Sequence, residues 1–155
     1  MDIDDPSIDL DLQPGTLVAV LAGNPAGIFF SECLLGAFPS GINLVLLSHE
    51  ALPDGSATHR HLPVNESGLQ QLTQMLDTSV TCPLGVVCGW PGLLPDSFID
   101  RFHGRLLNVH AGDLPRYRGA GGGSWQVLNN EHAICADVQQ MWPRVDAGPI
   151  LLREH

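Results

Sequence analysis

The stretch LLNVHAGDLPRYRGAGGG, residues 106–123, holds the two side chains best placed for chemistry, Asn108 and His110. On a strand, residues two apart leave from the same face, so the amide and the imidazole stand together while Val109 points the other way. His110 lies where an apolar run becomes a basic, glycine-rich loop. In an open α/β sheet the carboxyl ends of strands border the ligand crevice, so the pair forms one polar patch at a place where ligands bind. Asp146, in MWPRVDAGPI, occupies a tight connection between two apolar runs. If that connection lies over the same sheet edge, its carboxylate orients His110 and favours the protonated ring. A turn-forming Asp shortly before a glycine is the other reading of Asp146, and an Asn-x-His triplet alone carries little information.

Other polar clusters are weaker. GAGGG, residues 119–123, invites a phosphate loop, but neither GxxxxGK[ST] nor a GxGxxG after a first strand is present. GNPAG, residues 23–27, stands where an anion would bind, yet Pro25 has no N–H to offer. His59 and His61 flank an arginine without a third ligand, so no metal is expected. Cys33, Cys82, Cys88 and Cys135 show no CxxC pairing; three lie among apolar residues and are expected to be reduced core thiols.

The chain has 155 residues, 44% of them hydrophobic, enough for one sizeable core. Seven basic against 17 acidic residues give a formal charge of -10, the wrong sign for a nucleic-acid backbone. No apolar run approaches membrane-spanning length, and the amino terminus MDIDDPSIDLDLQPG is acidic where a signal peptide is basic. A cytoplasmic protein without nucleic-acid or membrane partners is expected. The Asn65-Glu66-Ser67 glycosylation triplet is then empty.

Elements that would position these residues can be read from apolar patterning. TLVAVLAG (16–23) and INLVLLSH (42–49) are continuous apolar runs, as in strands buried on both faces of a parallel sheet. A helix is expected between them over residues 24–38. Residues 50–67 read as an irregular connection, punctuated by Pro53, Gly55 and Pro63. A helix over 67–77 follows, capped by Ser67, with Leu69, Leu72 and Leu76 at helical spacing. Further strands are expected at 84–90, 105–110, 133–141 and 148–154, with helices over 95–102 and 124–130. This alternation predicts a Rossmann-like α/β fold, an open and mostly parallel sheet flanked by helices. Residues 1–14 are expected to be an acidic flexible tail and 15–155 a single domain.

Taken together, NVHAGDLPRYRGAG and VDAGPIL resemble the folate-dependent formyltransferases. These include the glycinamide ribonucleotide, methionyl-tRNA, sugar-nucleotide and peptide-synthetase formylating enzymes; the formyltetrahydrofolate deformylases are related. Asn108, His110, Leu114, Pro115, Gly119 and Asp146 occupy the family's pattern of Asn-x-His, Leu-Pro, a glycine loop, and an Asp ahead of x-Gly. The detailed match covers about residues 84–155. CGWPGLLP, residues 88–95, resembles the segment whose backbone, with the loop before the Asp, holds the pterin ring. The resemblance implies binding residues Trp90, Gly92, Leu93, Leu94 and Val145, with Leu93 and Leu94 as apolar wall; either leucine can instead cap the sheet.

The resemblance also implies a reaction: an amine of a small or carrier-bound acceptor attacks the formyl carbon of 10-formyltetrahydrofolate. Asn108 and His110 would donate to the developing oxyanion, and Asp146 would hold His110 and assist proton transfer. No metal enters. A hydrolase using water in place of the amine, and a catalytically silent folate-binding module, remain as alternatives. Three departures stand out. Ala111, Gly112 and Asp113 follow the histidine where the family commonly has Pro-Ser or Gly-Ser, and Asp113 is placed to compete for His110. The first loop lacks Ser/Asn side chains for a phosphate. Family members also continue beyond the equivalent of His155 through at least one more helix, so self-association or docking on another chain is expected near Ile150, Leu151 and Leu152.

Overall fold

In the computed structural model, residues 12–23, 40–49 and 59–155 are described, together with positions 25, 29 and 33. The strands are β1 (Leu17–Ala22), β2 (Asn43–Ser48), β3 (His59–Pro63), β4 (Leu84–Cys88), β5 (Leu106–His110), β6 (Ala136–Gln140) and β7 (Ile150–Glu154). The helices are α1 (Glu66–Asp77), α2 (Asp96–Ile99), which tightens into a 3-10 turn over Asp100–Phe102, and α3 (Gly122–Leu128). All strands join one sheet of order β3-β2-β1-β4-β5-β6-β7. The first five run parallel, and β6 and β7 each reverse against the preceding strand. The expected mostly parallel α/β sheet is what forms. Most of the helix expected over 24–38, and all of tail residues 1–11, lie outside the described residues.

Every residue of β1 is buried, because both sheet faces are covered and alternate side chains enter different cores. Leu17, Ala19 and Leu21 join Leu72 and Leu76 of α1 and Phe98, Ile99 and Phe102 on one face. Val18, Val20 and Ala22 join Leu44, Leu46, Leu84 and Leu107 on the other. Leu12 packs against this second cluster.

Three local expectations need correction. Residues 59–63, irregular by their sequence pattern, form β3 and pair in parallel with β2. HRHLP lacks an apolar alternation because an edge strand inserts one side chain, Leu62, into the core, and its terminal Pro63 needs no ladder donor there. The α1 cap is Asn65, whose side chain accepts the Gly68 N–H at 2.9 Å, ahead of the expected Ser67. The cysteines are not a set of core thiols: Cys135 is buried and Cys88 half-buried, whereas Cys33 and Cys82 are exposed. Apolar sequence neighbours did not determine burial, since Cys33, followed by Leu34 and Leu35, is exposed. Burial pushes the Cys88 thiol above its ordinary pKa. No helix among the described residues is long and apolar enough to cross a membrane.

Candidate active site

Asn108 and His110 share one face of β5, as their spacing requires. The antiparallel register sets Gln139 opposite Asn108 and Asp137 opposite His110, so four polar side chains occupy one face of the β5–β6 pair. His110, Asp137 and Gln139 are all buried. What covers them is backbone from two loops.

Asp146 reaches this face by a route the sequence did not suggest. The end of β6 lies beside the start of β5, with the Met141 N–H donating to the Leu106 carbonyl. The connection to β7 therefore leaves from the end of β5 remote from His110 and doubles back along the sheet face. Asp146 sits in the left-handed region, φ 44°, a conformation Asp tolerates better than most residues. Its Oδ1 accepts from Gln139 Nε2 at 2.6 Å and from Asn108 Nδ2 at 3.3 Å. Its Oδ2 accepts the Gly119 N–H at 2.7 Å and lies 3.5 Å from His110 Nδ1. The Asp146 carbonyl accepts from Arg118 Nε at 2.9 Å. On the far side of the ring, His110 Nε2–H donates to the Tyr117 carbonyl at 2.6 Å. Both neighbours of the ring are acceptors.

The loop after β5 is held from both ends. Buried Asp137 receives Arg153 of β7 through Nε at 2.7 Å and Nη2 at 2.8 Å, and the Leu114 N–H at 2.9 Å. Arg153 Nη2 also donates to the Leu114 carbonyl at 2.6 Å. Asp113, expected near His110, pairs instead with Arg153 at 3.2 Å and Arg116 at 3.5 Å. Farther along, the Tyr117 hydroxyl and Arg116 both donate to Glu131, at 2.5 and 2.7 Å, and hold that carboxyl below its ordinary pKa. Between these anchors the Tyr117 carbonyl and Gly119 amide meet the site. Gly122 lets the loop close: a Cβ there would stand 2.8 Å from the Ala111 oxygen and 3.0 Å from His110 Nε2.

Burial alone pushes the Asp137 carboxyl up, but the Arg153 bonds and the Leu114 amide outweigh it and hold the pKa below the usual carboxylate range. A lowered folded-state pKa contributes stability that is complete above the unfolded value, about 3.9, and lost as pH falls through the folded one. Asp137→Asn should therefore remove part of the acid dependence of the melting temperature below about pH 4. Thermal melts from pH 7 to pH 2 would show it; parallel curves for both proteins would refute the assignment.

The remaining expected site residues separate. The 89–94 segment leaves β4 beside the carboxyl end of β5. Leu94 is 6% exposed and belongs to the core, whereas Leu93 is 81% exposed. Trp90 packs partly against the same core cluster. Gly92 has open space where a Cβ would be, and Val145 is exposed. A cleft of about 540 Å³ lies at the opposite end of the sheet, lined by Leu17, Asn43, Arg60, Met75 and Val80 among others, away from these side chains. Among the described residues no group of three or more His, Cys, Asp or Glu is placed to hold a metal ion.

Sequence reasoning missed Gln139, Asp137 and Arg153. For Asp137 and Gln139 the only signal was polar residues at alternate positions of ADVQQ, a pattern equally typical of a solvated strand face; Arg153 stood near the end of ILLRE with no such pattern.

Residues 41–155 match the family model described as formyl transferase. Among similar curated proteins, the methionyl-tRNA formyltransferase of Solibacter usitatus is 34% identical over 68 residues, 44% of this chain and 22% of that protein. The methionyl-tRNA formyltransferase of Lactobacillus acidophilus is 28% identical over 92 residues, 59% of this chain and 29% of that protein. The chain thus spans less than a third of either relative. Among solved structures, glycinamide ribonucleotide transformylase 1 from Symbiobacterium toebii has a TM-score of 0.70 at 20% identity, covering 92% of this chain and 74% of that one. A formyltetrahydrofolate deformylase from Pseudomonas syringae has a TM-score of 0.68 at 16% identity, covering 90% and 50%. These likenesses show a shared fold, and a family match extending over more than half of the sequence settles the kinship: the chain belongs to the formyl transferase family.

Proposed function

We propose that the chain transfers the formyl group of 10-formyltetrahydrofolate to an amine of a small or carrier-bound acceptor, in the cytoplasm. The observation that supports this most is the meeting of Asn108, Asp146 and His110, from two segments far apart in sequence, on one buried patch. The folate supplies an activated formyl group. Asn108 Nδ2 and His110 Nε2 donate to the formyl oxygen as it gains charge, the ring exchanging the Tyr117 carbonyl for it. Asp146 keeps the imidazolium oriented and helps a proton pass from the attacking amine toward the leaving nitrogen. Leu93, Gly92, Trp90 and Val145 hold the heterocycle, while Leu94 supports Leu93 from the core.

The names of the relatives make an aminoacyl-tRNA amine one candidate of the carrier-bound class; the formal charge of -10 favours a small or protein-bound acceptor. A deformylase among the structural neighbours favours hydrolysis as the second reading. Formyl-labelled folate incubated with glycinamide ribonucleotide, methionyl-tRNA or no amine distinguishes them. Label in an amine product is expected. Label released only as formate would favour hydrolysis, and absence of both turnover and millimolar folate binding would defeat the proposal.

Self-association through β7 belongs to the same proposal. Ile150, Leu151 and Leu152 are exposed on a sheet edge, which offers apolar surface and unpaired backbone groups to a second chain. Sedimentation at micromolar concentration should show a species larger than the monomer; a clean monomer would refute it.

A further inference from the structure

From Gln139 we infer a further working residue of this site: its amide nitrogen holds Asp146, and its amide oxygen receives an N–H of the attacking amine. The inference rests on the formyl-transfer reading and deepens it. Gln139 is 2% exposed and stands across the β5–β6 ladder from Asn108. Both amides donate to the same carboxylate oxygen, Gln139 at 2.6 Å and Asn108 at 3.3 Å. The shorter bond keeps Asp146 in place when the Asn108 amide turns to the formyl oxygen, so Asn108 can change partner without leaving Oδ1 unpaired.

The other end of the same side chain points to a ligand. Gln139 Oε1 is a buried side-chain atom with no hydrogen-bond partner. Buried polar atoms are nearly always paired, and one left unpaired beside a reactive cluster needs a donor from elsewhere. A primary amine carries such a donor, with a second hydrogen to spare. An N–H held at Oε1, next to Asp146, would leave the nitrogen lone pair free for the formyl carbon. The acceptor class is therefore an uncharged amine with at least two hydrogens, one for Oε1 and one to be lost after attack.

Gln139→Met removes both contacts at similar volume, and Gln139→Glu keeps the acceptor. A carboxylate introduced this close to Asp146 cannot share full ionisation with it, so the pair retains one proton. While that proton is present the introduced carboxyl donates to Asp146 as Nε2 did, and the bond is lost once the proton leaves with rising pH. In Gln139→Met, kcat should fall and KM for the amine rise, each about tenfold, with KM for the folate changing less, because Trp90, Gly92 and Leu93 lie on the loop after β4 and only Val145 adjoins Asp146. Gln139→Glu should keep KM for the amine near wild type and show kcat falling more steeply with rising pH than in the wild type. An unchanged KM for the amine in Gln139→Met, or a Gln139→Glu profile parallel to wild type, would overturn the inference. Were the wild type inactive, the formyl-transfer reading would fail. The hold on Asp146 would then be decided by the His110 ring resonances across a pH titration: displaced in Gln139→Met if Gln139 positions Asp146, identical if it does not.

Discussion

Replacing His110 with alanine is expected to lower formyl turnover by about 100-fold or more, the usual cost of one oxyanion donor. Asn108→Ala and Asp146→Asn should each fall in the same range. The three are mutually dependent: Asp146 contacts both Asn108 and His110. Removing one therefore disorders the others, and the double and triple variants should lose far less than the product of the single losses. The fold should survive, because none of the three belongs to the apolar clusters that build the sheet. Steady-state assays beside thermal melts would test this, and retained activity in a folded His110→Ala protein would remove the histidine from the mechanism.

Phe102→Ala is expected to cost about 3–5 kcal/mol of stability, the range for truncating a buried phenylalanine. Phe102 is fully buried and meets Phe98 edge to face, ring centroids 5.5 Å apart. It also fills space left by Gly85 of β4, where a Cβ would lie 2.7 Å from Phe102 Cε1. Truncation therefore opens a cavity against a strand with no side chain to collapse into it. With total stabilities of about 5–15 kcal/mol typical of single domains, the melting temperature should drop on the order of 10 °C. Leu93→Ala gives the contrast: an exposed side chain should change stability by less than about 0.5 kcal/mol while weakening folate binding. Equal losses of stability in the two variants would show that the burial assignments are wrong.

Much of the fold was legible in the sequence because burial on two faces leaves a direct mark. The uninterrupted apolar runs of β1 and β2 mean strands covered on both sides, and Leu69, Leu72 and Leu76 mean one helix face. Strand geometry alone puts Asn108 and His110 on the same side. Edge strands leave a weaker mark, which is why β3 resembles a loop in its sequence: its core contribution is a single leucine. Adjacent Leu93 and Leu94 are chemically identical, and only the turn after β4 decided that one enters the core and the other faces solvent.

The site depended on relations that no local pattern encodes. Periodicity reports which face a residue is on, not which segment will lie over that face. The reversal of β6 and its register set Gln139 beside Asn108 and Asp137 beside His110. The folding back of the following loop carried Asp146 to them, and Arg153 of β7 secured the loop that closes over the histidine. By itself the sequence determined the residue types, the sheet and the shared face of Asn108 and His110. Only the tertiary structure decided which donors Asp146 would accept, because those bonds join segments whose meeting depends on strand direction and register, and neither is a property of nearby residues.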